Sequence, residues 1–74
     1  MIDPAAIGET YISTCRTIFT VVEATGIGVV ALIIEDNPAY PKYMHAGTCM
    51  NIIKGCAFWD DSVPFASLEE QDMV

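Results

Sequence analysis

From Ile7 onward, apolar residues recur at steps of three and four: Ile7, Tyr11, Cys15, Ile18 and Val22. Glu9, Ser13, Arg16, Thr20 and Glu23 fall at similar steps on another face. This two-faced spacing predicts a half-buried helix. Asp3-Pro4 supplies a start for it, since Asp is a favoured N-cap and Pro suits the first helical position. Gly26 stands where a C-cap glycine belongs. The many β-branched Thr, Ile and Val residues lower the intrinsic helix propensity, so burial has to supply the stability.

After Ile27-Gly28 comes VVALII, Val29 to Ile34, bounded by glycine and by Glu35-Asp36-Asn37-Pro38. A short, largely β-branched run with such borders predicts a buried strand. Residues 17–35 also carry a second reading, because about 19 mostly apolar residues is the length of a membrane span. Tyr40, Lys42 and Tyr43 would then form an interfacial belt. Glu23 inside the segment, the glycine boundary, and the lack of a Lys/Arg cluster favour helix, glycine, strand instead.

Gly47 and Gly55 split the next stretch, YMHAGTCMNIIKGCAFW. Thr48–Ile53 reads as a second strand and Cys56–Trp59 as a third. Asp60-Asp61-Ser62 and Pro64 punctuate the chain, and Ser67-Leu68-Glu69-Glu70 matches a capping box for one last short helix. The expected fold is therefore α+β: an N-terminal amphipathic helix packed on a small sheet, with residues 1–59 as the core and 60–74 as an acidic segment. The alternative is a single transmembrane helix over 17–35.

Composition sharpens this picture. With 74 residues and 53% hydrophobic content, one small core is expected, and a chain of this size buries only roughly 60% of its unfolded surface. Apolar surface left uncovered marks an interface, with a partner or with further copies of the chain. Residues 1–59 hold five acids and three bases; residues 60–74 hold five acids and no base. Three scattered bases and a net charge of −7 argue against direct nucleic-acid binding, which needs clustered Lys and Arg. A basic protein surface is the better electrostatic match. Cys15, Cys49 and Cys56 form no even disulfide framework, and MIDPAAIGET carries acids where a targeting peptide has bases, so a cytoplasmic protein is expected.

No constellation names a reaction. Gly26-Ile27-Gly28-Val29-Val30-Ala31 fits the loose dinucleotide pattern, but that site needs a strand before it and a helix after it. His45, Cys49 and Cys56 have loose spacings for zinc, with Cys15 left to complete the set. A Cys–His nucleophile pair lacks an orienting third group. The acid pairs Glu35-Asp36, Asp60-Asp61 and Glu69-Glu70 read as solvated turns. No catalytic residue, metal or cofactor is predicted. Aromatic residues beside acids have the composition of an interface with a charged rim. Phe58, Trp59, Asp60, Asp61, Phe65, Glu69 and Glu70 are thus the expected partner-binding residues. The sequence points to a small acidic non-enzymatic binder, an inhibitor, adaptor or accessory subunit, acting on a larger protein with a basic surface. A single-pass membrane subunit is the alternative.

Overall fold

The computed structural model describes residues 2–3 and 6–65. Within them the chain forms an antiparallel sheet of five strands: β1 Thr10–Ile12, β2 Ile18–Ala24, β3 Gly28–Ile33, β4 Cys49–Ile53 and β5 Val63–Pro64. The strand order is β4-β3-β2-β1-β5. The first four strands follow one another as a meander, and the fifth returns to pair with the first. A short helix, α1 Ala57–Asp61, carries the chain from one edge strand to the other.

The amphipathic helix expected from residue 3 onward is not formed; β1 and β2 occupy its place. The reason is visible in which residues are buried. Tyr11, Ser13, Phe19 and Val21 are buried, with half-buried residues between them at 10, 12, 18 and 20, a period of two. Ile7 and Val22, which belonged to the helical stripe, are exposed. β-branched residues fit a pleated surface better than a helix, and here they decide the outcome. The membrane-span alternative falls for the same reason. Residues 17–35 make two strands joined by a hairpin, and among the described residues no helix is long and apolar enough to cross a membrane. The run expected as a strand from Val29 is β3, and the strand expected before Gly55 is β4. Cys56–Trp59, expected as a strand, opens α1 instead. The capping box at 67–70 and most of the acidic segment lie outside the described residues.

Directly opposed residues in the ladders share a face. One face carries Tyr11, Phe19, Val21, Val29, Ala31 and Ile52, and Ile2 and Trp59 cover it to close the core. Phe19 is fully buried, stacked on Tyr11 with ring centroids 6.0 Å apart and tilted against Phe58 at 5.5 Å.

A β-bulge between Val21 and Glu23 interrupts the β2–β3 register. Without it Glu23 would stand opposite Val29, on the covered face. The extra residue, Val22, moves Glu23 opposite Val30 on the other face. A one-residue shift flips side chains between faces, and here it keeps a carboxylate out of the core.

The β2–β3 turn is closed by Thr25, whose N–H donates to the Gly28 carbonyl at 2.8 Å and whose Oγ1 accepts from the Gly28 N–H at 2.9 Å. Gly28 lies so close to the Ile52 carbonyl that a side chain there would collide with backbone; at Gly26 the space is open. Gly28→Ala is therefore expected to unfold or strongly destabilise the protein, because rigid backbone has to move, whereas Gly26→Ala should change stability by no more than about 1 kcal/mol. Urea denaturation of the two variants checks this.

Candidate functional site

Two features of the described structure have the chemistry of a site. The first is a polar cluster at the β1–β2 turn. Ser13 N–H donates to the Thr17 carbonyl at 3.1 Å, and Arg16 takes a left-handed backbone conformation, φ 67°, to close the loop. The long β3–β4 connection folds onto this turn through Asn37, which is fully buried. Its Nδ2 donates to the Cys15 carbonyl at 2.8 Å and to Thr17 Oγ1 at 2.7 Å. Its Oδ1 accepts from the backbone N–H groups of Ala39 at 2.8 Å and Tyr40 at 3.1 Å. The carboxamide thus uses both ends, as a buried polar group has to.

Cys15 sits at the rim of the cluster, half-buried, with Ser13 Oγ 3.0 Å and Thr17 Oγ1 3.4 Å from its sulfur. Burial pushes the thiol up, but hydrogen bonds from Ser13 and Thr17 together outweigh it and hold it below the ordinary thiol value. His45 is not near it; that ring pairs with Asp36 at 2.9 Å in solvent. The arrangement stabilises a thiolate without supplying a base, so it reads as structural hydrogen bonding and not as a nucleophile with its partner. The cysteines are all free, and among the described residues no group of His, Cys, Asp and Glu could hold a metal ion.

The second feature is the sheet's other face. Across it run the rows Val63–Ile12–Ile18, Thr10–Thr20–Leu32–Cys49 and Glu23–Val30–Asn51, followed by Ile53 at the end of β4. Thr10 and Thr20 hydroxyls bond each other at 3.0 Å. Ile53 and Val63 are 50% and 41% exposed. The helix lies on the opposite side, so no described element covers these residues. Around the end of the β3–β4 hairpin, Thr25, Ile27, Val29, Asn51, Ile52 and Ile53 line an open depression of about 300 Å³ that includes residues of both faces.

The residues expected to bind a partner are divided by the helix. Trp59 is 4% exposed and belongs to the core, and Phe58 packs against it. Asp60 and Asp61 point outward, with Asp61 accepting from Thr14 Oγ1 at 3.0 Å. Phe65 is half-buried. Glu69 and Glu70 lie outside the described residues. The open sheet face was not foreseen. Its signal is the β-branched alternation at Thr10, Ile12, Ile18 and Thr20, which the step-of-three spacing obscured.

No family model, curated protein or solved structure matches this chain.

Two outcomes follow. Trp59→Ala should lower stability by about 3–5 kcal/mol, the usual cost of emptying a core aromatic site, as read from the shift in the urea midpoint. In a Cys49→Ser/Cys56→Ser background, alkylation of Cys15 by iodoacetamide should reach half-maximal rate at a lower pH in the folded chain than in urea. A depressed thiol pKa means that this contribution to stability is present above the unfolded pKa. It is lost as pH falls through the folded one.

Proposed function

We propose that this protein is a non-enzymatic binding module that docks on a larger protein through the open face of its sheet. The single observation that carries this reading is the row of apolar side chains, Ile12, Ile18, Val30, Leu32, Ile53 and Val63, on a face that no described element covers. Exposed contiguous apolar surface is the usual mark of an interaction site. Glu23, set on that face by the bulge, and the chain's net charge of −7 suit a partner with a basic surface. An inhibitor, adaptor or accessory subunit fits this description. The aromatic residues of α1 support the fold, and Asp60 and Asp61 contribute to the long-range field.

The experiment compares wild-type protein with Ile12→Thr/Leu32→Thr/Val63→Thr, which keeps strand-forming side chains while adding polarity to the face. Proteins retained by immobilised wild type are identified and their affinities measured. The triple variant is expected to bind at least tenfold more weakly with an unchanged circular-dichroism spectrum. Wild-type affinity should fall with added salt, as surface charge is screened. Equal binding by the two proteins would refute the assignment to this face.

A further inference from the structure

The two edges of the sheet differ. β5 is two residues long and ends in Pro64, whose nitrogen carries no hydrogen. β4 has five residues, CMNII, with no charge and no proline, and its ladder with β3 runs without a register shift. These are the devices that normally blunt an edge strand, and β4 has none of them. In the β3–β4 ladder the Lys54 N–H donates to the Ile27 carbonyl and the Ile33 N–H to the Thr48 carbonyl. Antiparallel pairs alternate, so 48, 50, 52 and 54 face β3, while the backbone groups of Cys49 and Asn51 and the N–H of Ile53 point outward; the Ile53 carbonyl already accepts from the Cys56 N–H at 3.2 Å.

We propose that β4 pairs with β4 of a second copy, antiparallel about a two-fold axis at Asn51, to make one continuous sheet across a homodimer. Asn51 is the middle of the three outward residues, so centring there is the register that sets Cys49 of each chain opposite Ile53 of the other. Asn51 N–H and carbonyl then exchange bonds with their own copies. The side chains of 49, 51 and 53 all lie on the open face. Cys49 meets Ile53 in an apolar contact, and the two Asn51 carboxamides, each donor and acceptor, stand side by side. The contact is isologous and therefore closes at two copies. The proline-ended β5 edge offers no second strand for growth into a fibre.

The pairing would also double the open face, although it buries none of it. Strands about 4.8 Å apart and about 3.4 Å long per residue give one open face roughly 400 Å². A stable protein interface takes about 800 Å² per partner, which two faces side by side supply. The dimer itself stands on the edge geometry, whether or not the open face binds another protein.

The test is sedimentation equilibrium on the full chain, wild type against Asn51→Pro. Proline there removes an outward N–H and spares the bonds to β3. Twice the chain mass for wild type, with a single-chain mass and an unchanged circular-dichroism spectrum for Asn51→Pro, is the expected result. A single-chain mass for wild type up to about 100 μM, weaker than almost any functional dimer, would leave the edge to a strand from a different protein and overturn the proposal. A double mass that survives Asn51→Pro, or open-ended growth, overturns it too. Should Asn51→Pro fail to fold, amide exchange in wild type decides. Slowing at Cys49, Asn51 and Ile53 that increases with protein concentration supports the pairing, and concentration-independent exchange refutes it.

Discussion

Phe19 stands at the centre of the covered face, between Tyr11 stacked on one side and Phe58 tilted on the other. Much of the fold follows from that aromatic row. Phe58 and Trp59 are neighbours on α1, so docking one ring brings the other onto the sheet and fixes the path from β4 to β5. The helix has five residues and no side-chain hydrogen bond at its N-cap. A helix that short is unstable alone; it persists because its aromatics are buried. With those rings and Ile2 on one face, the described chain has no further element for the other. A sheet has two faces, and the described residues cover only one of them.

Two strands are legible in the sequence, but the expected α+β fold is not what forms: the described chain is mostly one antiparallel sheet with a single short helix, and one ambiguity hid this. Val29 to Ile33 and Cys49 to Ile53 read as strands because glycine and polar turns bracket short β-rich runs. Residues 7–22 satisfy two periods at once. Ile7, Tyr11, Cys15, Ile18 and Val22 mark steps of three and four, while Tyr11, Ser13, Phe19 and Val21 mark steps of two. Pattern alone cannot separate these, and the tie is broken by tertiary pairing: Thr10, Tyr11 and Ile12 find partners in Thr20, Phe19 and Ile18. The bulge at Val22 deepened the confusion, since it breaks the alternation where the strand would otherwise have declared itself.

The proposed interface left less trace in the sequence than the strands did. Aromatic residues beside acids have the composition of an interface, yet here Trp59 closes a core and its acidic neighbours face water. A small chain has few large apolar side chains, and core and interface compete for them. The core takes Tyr11, Phe19, Phe58 and Trp59, because burying a ring removes more apolar area from water than burying an aliphatic side chain. The open face is left with aliphatic side chains alone: Ile12, Ile18, Val30, Leu32, Ile53 and Val63. Asn37 escaped notice for a different reason. Its role depends on Cys15 and Thr17, 22 and 20 residues earlier, and on how the β3–β4 connection returns to the β1–β2 turn, and neither leaves a mark in local spacing.

Charge and shape therefore act at different ranges. Glu35 and Asp36 lie in the β3–β4 connection, and Asp60 and Asp61 on the helix, outside the apolar rows themselves, with Asp61 bonded to Thr14 near the Val63–Ile12 end. In solvent, such exposed charges are screened over a Debye length of about 8 Å at physiological salt. They can raise the rate at which a basic surface approaches, but they cannot select where it lands. Glu23 differs, because the bulge seats it directly opposite Val30. A carboxylate among aliphatic side chains loses water when the face is covered, and that loss is offset only if the covering surface brings a cation to it. On the proposed reading, the bulge that spares the core from Glu23 thereby gives the open face a requirement as well as an attraction, and surfaces lacking a matching base would be disfavoured there.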